Sequence, residues 1–191
     1  MEKNIILASN SPRRKQLLKM AGIRFTVLPS DVPEMVPEFV TDEKRAQFLA
    51  ELKASYTSVF HPKDVIIGAD TTVICEGRLM GKPATREEAK EMLRFLSGKV
   101  HTVYTGVCLI WSDEEDAECF SSETKVEFYP LTEKQIEEYV ASGEPMDKAG
   151  AYGIQGLGST LVKRIEGDYY TVVGLPIAEV VRRLKKHEGE L

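Results

Sequence analysis

Strand-like and helix-like segments alternate along this 191-residue chain, and the alternation predicts a mixed α/β fold with antiparallel hairpins and peripheral helices. Two further observations agree. Hydrophobic residues make up 42% and charged residues 29%, the balance of an ordinary globular protein with a substantial core. No low-complexity linker interrupts the pattern, so residues 1–191 read as a single domain, or as two small lobes around a cleft.

The elements follow in order. Residues 5–8 form a short apolar run that suits a buried strand. A helix then begins with Ser11 as N-cap and Pro12 at the first helical position; Leu17, Leu18 and Ala21 mark its inner face and Gly22 stops it. Residues 25–28 read as a strand, and 29–37 as a proline-stiffened loop carrying Asp31 and Glu34. Thr41 caps a helix to about Ser58, with Ala46, Leu49, Leu52 and Tyr56 at helical spacing. Residues 64–70 read as a buried strand that ends in a carboxylate, followed by a hairpin of 72–75 and 78–80 around Glu76-Gly77. Thr85 with Glu88, and Thr132 with Gln135, are capping boxes for two further helices. Between those helices lie two long strands, 100–111 and 119–129, joined by an acidic turn. A glycine-rich segment, 150–158, precedes an expected hairpin of 160–165 and 169–173, and Pro176 opens a terminal amphipathic helix.

Composition narrows the function. A net charge of −5 disfavours broad capture of nucleic acid, although a local basic cluster can still hold a small polyanion. Three cysteines (Cys75, Cys108, Cys119) without CxxC spacing read as reduced thiols of a cytoplasmic protein. His61, His101 and His187 are scattered, which leaves no HExxH-type zinc constellation. The N-terminal apolar run is too short for a signal peptide, and nothing approaches the ~20 apolar residues that span a bilayer.

Several residues could carry chemistry. Arg13 and Arg14 fall in the first turn of a helix, at the positive end of its dipole, where each cation typically costs ~0.3–1 kcal/mol. An anion docked on the free amides there would reverse that cost; otherwise this is a solvated basic helix start. Asp70, at the expected strand end, is either a ligand group or a turn-capping aspartate. Glu34 could supply a hard oxygen to a partly hydrated divalent cation, or simply be solvated. Lys53 on its amphipathic helix reads as a surface charge. Lys82, in Gly81-Lys82-Pro83, fails the phosphate-loop spacing and lacks the following Ser or Thr. Gln155 offers a donor and an acceptor together, a pairing that suits a pyrimidine edge, among glycines that let backbone approach a ligand closely.

Taken in order, these pieces resemble the Maf family of nucleotide pyrophosphatases. The matching segments are Leu7-Ala-Ser-Asn-Ser-Pro-Arg-Arg14, Glu34, Leu49-Ala-Glu-Leu-Lys-Ala54, Gly68-Ala-Asp-Thr71, Gly81-Lys-Pro83 and Leu96-Ser-Gly98. Asp147-Lys-Ala-Gly-Ala-Tyr-Gly-Ile-Gln-Gly156, Gly167-Asp-Tyr-Tyr170 and Gly174-Leu-Pro176 complete a series that spans nearly the whole chain. The resemblance implies a single Maf-like domain with the inosine-triphosphatase-like fold, a central mixed sheet flanked by helices. It implies cleavage of a nucleoside triphosphate between the α and β phosphates, with Asp70 as the proton acceptor for water. Ser9, Arg13, Glu34, Lys53 and Lys82 match the other active-site positions, and Arg13, Thr71 and Gln155 match positions tied to base choice. The Ile154-Gln155-Gly156 form resembles the subgroup acting on dTTP and UTP. Ser9, Arg13, Lys53 and Lys82 would bind the substrate, and Arg13, Lys53 and Lys82 with a divalent cation, Mg²⁺ or Mn²⁺, held by Glu34 and Asp70 would balance the triphosphate's charge. The resemblance also implies a homodimer. A house-cleaning hydrolase of modified bases, and a nucleotide-binding regulator of cell division with little turnover, are the competing functional readings.

Overall fold

A computed structural model describes residues 3–114 and 116–189 of the chain. Its seven strands are β1 (Ile5–Leu7), β2 (Thr26–Val27), β3 (Val65–Cys75), β4 (Arg78–Met80), β5 (Val100–Trp111), β6 (Asp116–Phe128) and β7 (Val162–Gly167). The helices are α1 (Pro12–Met20), α2 (Asp42–Ser58), α3 (Arg86–Leu96), α4 (Glu133–Ala141), α5 (Tyr169–Val173) and α6 (Ile177–His187). Three 3₁₀ turns, Glu144–Asp147, Ala149–Ala151 and Gly156–Leu161, lie between α4 and β7. The strands form one mixed sheet in the order β2-β1-β3-β5-β6-β7, with β4 also paired to β3. β1 runs parallel to both β2 and β3, with Ile5 opposite Val65 and Leu7 opposite Ile67; β4 and β7 pair antiparallel to β3 and β6. The expected α/β class with a central mixed sheet and flanking helices is therefore observed.

The described residues fall into two compact units. The first draws on Met1–Asp70, Thr105–Ser122 and Gly174–Leu191, the second on Thr71–Tyr104 and Glu123–Val173. In the first unit, Ile6, Ala8, Ala50, Ala54, Ile66 and Cys108 form a buried cluster. Here α2 lies unusually close to the strands. A Cβ on Gly68 would stand 2.2 Å from the Ala50 carbonyl oxygen, and one on Gly106 2.3 Å from the Ala46 carbonyl. The inward stripe of α2 is accordingly small: Ala46, Leu49, Ala50, Ala54 and Thr57 are buried, whereas Tyr56 is 43% exposed. The expected stripe through Leu52 and Tyr56 is rotated because two glycines admit helix backbone where large side chains would not fit.

In the second unit a larger core gathers Val73, Met80, Leu93, Leu96, Phe128, Ile136, Tyr139 and Tyr152 among others. The β3–β4 turn places Glu76 and Gly77 at φ 50° and 75°, the two positive values a tight hairpin requires. Thr85 and Thr132 cap α3 and α4 as expected, and Thr132 with Gln135 closes a full capping box.

Three further expectations need correction. β3 does not end at Asp70; its β-branched continuation, Thr71-Thr72-Val73-Ile74, carries the strand on to Cys75 and leaves Asp70 in mid-strand. Residues 169–173 form the short helix α5 instead of a strand, because Asp168 Oδ2 accepts the Thr171 amide at 2.7 Å and its hydroxyl at 2.9 Å. Local capping outweighs the strand preference of Tyr, Thr and Val there. Finally, Cys108 on β5 and Cys119 on β6 are joined in a disulfide, so only Cys75 is a free, buried thiol. The two strands are sheet neighbours, and the cysteine Cα atoms stand 4.0 Å apart across them.

Candidate active site

The position of Lys53 follows from the close packing of α2. Gly68 and Asp70 are two residues apart on β3 and share a strand face, the face on which Ala50 and Ala54 of α2 rest. Lys53 lies between those alanines, so its side chain extends along β3 to Asp70. Lys53 Nζ stands 2.7 Å from Asp70 Oδ1 and 2.8 Å from Glu34 Oε1. The lysine and aspartate side chains are only 12% and 16% exposed, while Glu34 is 54% exposed and reaches in from the 29–41 loop. One ammonium thus bridges two carboxylates, one enclosed and one open to solvent. The reading of Lys53 as a surface charge does not hold: its side chain is largely enclosed, because Ala50 and Ala54 seat α2 close to β3.

The same unit holds the N-terminal motif. Ala8 N–H donates to the Ile67 carbonyl at 2.9 Å, which fixes the end of β1 beside β3 just before Asp70. Ser9 follows, 8% exposed, and leads into α1, where Ser11 accepts the Arg14 amide and Pro12 starts the helix. Arg14 turns inward. Its Nη1 donates to Ser9 Oγ at 3.0 Å and its Nε to the Gly174 carbonyl at 2.8 Å. Burial pulls the Arg14 guanidinium below its ordinary pKa, Arg13 adds to that shift, and the negative charges of Asp70 and Glu34 oppose it. Both arginines and both carboxylates therefore share one electrostatic neighbourhood with Ser9. Arg13 is partly exposed in the first turn of α1. The sequence reading pairs Arg14 with Arg13 at the start of α1 but does not reveal its inward anchor, the Gly174 carbonyl of the Gly174-Leu-Pro176 motif.

Glu34 and Asp70 fit a divalent cation of the hard, oxygen-preferring kind. Their carboxylates converge on a single positive charge, and Mg²⁺ sites commonly use one or two carboxylates with substrate phosphates completing the shell. Among the described residues no group of three or more His, Cys, Asp or Glu side chains could hold a metal on its own.

Thr71, Lys82 and Gln155 belong to the second unit. Thr71 is partly buried on β3, and Lys82 is exposed just after β4. Gly81, beside Lys82, accepts the Gly150 amide at 3.0 Å, which ties the Lys82 loop to the glycine-rich segment. Gln155 is partly buried and occupies the extended position (φ −88°, ψ 168°) that opens the Gly156–Leu161 turn.

The family model for Maf-like proteins matches residues 4–187. A dTTP/UTP pyrophosphatase of Bacillus mycoides (strain KBAB4) is 50% identical over 189 residues, 99% of this chain and 98% of that protein. The dTTP/UTP pyrophosphatase of Geobacillus sp. (strain WCH70) is 50% identical over 184 residues, covering 96% and 98%. Among solved structures, a HAM1 protein from Coxiella burnetii superposes over all of both chains with a TM-score of 0.53 at 14% identity, which places the chain in that fold.

Proposed function

This chain belongs to the Maf-like family, and from that premise we propose that it hydrolyses nucleoside triphosphates, dTTP and UTP foremost, to the monophosphate and diphosphate. The observation that carries the reading is the Lys53 bridge between Asp70 and Glu34, beside the Ser9–Arg14 pair. A triphosphate brings about four negative charges, and hydrolysis of its anhydride is chiefly a matter of positioning and neutralising them. Arg13 and Lys82 serve as the cations that receive the phosphates, and Ser9, held by Arg14, presents a hydroxyl to them. Asp70 orients the attacking water and takes its proton as the oxygen adds to phosphorus and the α–β anhydride bond breaks. Lys53 holds the Asp70 carboxylate in place and compensates its charge.

Glu34 and Asp70 would hold the divalent cation, which supplies neutralisation of phosphate charge and polarisation of water when bound. Thr71, Gln155 and Arg13 would meet the base side of the nucleotide, and Gln155 suits the donor–acceptor edge of uracil and thymine. The whole chain would act as one functional domain, as a cytoplasmic enzyme and as a homodimer. No helix among the described residues is long and apolar enough to cross a membrane. In support of a dimer, Met35 and Phe39 in the loop that carries Glu34 are large apolar side chains 79% and 84% exposed, which a second copy would cover. Sedimentation should then return twice the chain mass.

Steady-state diphosphate release from dTTP, UTP, CTP, ITP and 7-methyl-GTP, with Mg²⁺ or Mn²⁺, tests the proposal. Preference for dTTP and UTP is expected. A rate confined to modified bases would favour the house-cleaning reading. Binding without turnover on any of the five would favour a nucleotide-responsive regulator and defeat this one.

A further inference from the structure

Glu144 makes contacts that a solvated carboxylate would not need. It opens the Glu144–Asp147 turn, where it is partly buried. Its Oε2 accepts the Leu157 amide at 3.0 Å, and its Oε1 accepts the Gly158 amide at 3.0 Å. Tyr139, 4% exposed on α4, donates its hydroxyl to the same Oε1 at 2.9 Å and accepts the Gly153 amide at 3.1 Å. One carboxylate and one phenol therefore grip the backbone at residues 153, 157 and 158, on both sides of Gln155.

The glycines are arranged around this grip. A Cβ on Gly156, at φ +63°, would stand 2.7 Å from Glu144 Oε2. One on Gly158 would stand 2.0 Å from the Gly153 carbonyl and 2.7 Å from Tyr139 Oη. Lys148 closes the remaining side: its Nζ donates to the Glu144 carbonyl and to Asp147, each at 2.6 Å, and its stem lies 2.7 Å from where a Gly153 Cβ would be. A segment this rich in glycine has much conformational freedom to lose, and amide bonds to an ionised carboxylate are about twice as strong as neutral ones. The grip spends that strength on ordering the loop before any ligand arrives.

We propose that Glu144, held by Tyr139, is a positioning residue that fixes the backbone around Gln155 and so sets discrimination between bases. This rests on the reading above in which Gln155 meets the base. Recognition by paired hydrogen bonds needs its donor and acceptor placed within about 0.5 Å, which a loose glycine loop does not provide. None of the residues assigned to the triphosphate takes part in the grip. Its loss therefore falls on base selectivity and KM, with kcat for the preferred nucleotide little changed.

The test measures kcat and KM for UTP and CTP, which share a sugar and differ in the base edge, in the full chain and its E144Q, Y139F, Q155A and E144Q/Q155A variants. Amide exchange across residues 153–158 is followed alongside. E144Q is expected to lower the UTP-to-CTP ratio of kcat/KM about tenfold. Y139F should act in the same direction but more weakly, and it reports on the grip even if E144Q fails to fold. The double variant should match Q155A alone, and exchange at 153–158 should quicken in E144Q. Selectivity lost in Q155A but kept in E144Q and Y139F would overturn the positioning role and leave Gln155 as the base reader. Wild-type selectivity in Q155A would remove the base-reading assignment and this inference with it. Unchanged exchange in E144Q would overturn the grip itself.

Discussion

Lys53 is the residue whose surroundings decide most. A lysine that bridges two carboxylates while only 12% exposed holds its partners as much as it is held by them. Removing one member of an enclosed ion pair leaves the other charge uncompensated, which costs more than the pair's net contribution. Lys53→Met should therefore lower kcat/KM by at least about tenfold and also weaken the fold, both readable from kinetics and urea denaturation of the same preparation. Asp70→Asn is nearly isosteric but cannot take a proton. It should cut kcat by about 10²–10⁴-fold while nucleotide binding stays measurable by calorimetry; turnover near the unmodified rate would remove Asp70 from the chemistry.

His101 offers a test away from the site. It is 1% exposed, its Nε2 lies 2.7 Å from the Tyr152 hydroxyl, and burial pushes its pKa down to about 4. The folded value lies below the unfolded 6.5, so the unfolded chain binds the extra proton. The stabilisation is complete above about pH 6.5 and is lost as pH falls toward 4, about 3 kcal/mol in all. Denaturation midpoints across that range should fall less steeply in His101→Gln than in the unmodified chain; equal slopes would show that His101 does not carry this dependence.

At the scale of elements, the seat of α2 explains why the site forms. Gly68 and Gly106 let the helix backbone sit on the strands, and that contact aims Lys53 along β3. Gly106→Ala would place a methyl 2.3 Å from the Ala46 carbonyl, and the helix would have to move. A loss of about 1–3 kcal/mol is expected, with activity falling further than the folded fraction explains because Lys53 moves too. A denaturation curve like that of the unmodified chain would refute the close seat. The β5–β6 disulfide closes a short loop, a cross-link of the kind worth about 3 kcal/mol. Alkylation of the unfolded, unreduced chain should label one thiol, and three after reduction.

What the sequence made legible divides along these lines. Caps and turns were readable because they are local: Ser11-Pro12, Thr132 with Gln135, and Glu76-Gly77 each state their geometry within four residues. The α2 stripe, the continuation of β3 and the cystine were not, because each depends on what lies across from it. A glycine in β3 cannot be matched to an alanine in α2 without the packing, and α5 turned on an Asp168 cap that the strand preference of its neighbours concealed. The motif residues were legible only together. Asp70, Lys53 and Glu34 each read as ordinary in isolation, and it is their ordered succession along the chain that resembles one family.

At the scale of the whole molecule, a chain of net charge −5 assembles arginine, lysine and serine donors beside a bridged carboxylate pair. Local charge, set by α1 and α2, overrides the global sign, as small polyanion sites require. The most direct test is a single turnover of dTTP labelled at the α phosphorus, with enzyme in excess and Mg²⁺ present. The label should pass entirely into the nucleoside monophosphate, with unlabelled diphosphate released. Label recovered in the nucleoside diphosphate, or retained in bound, uncleaved dTTP, would contradict the account.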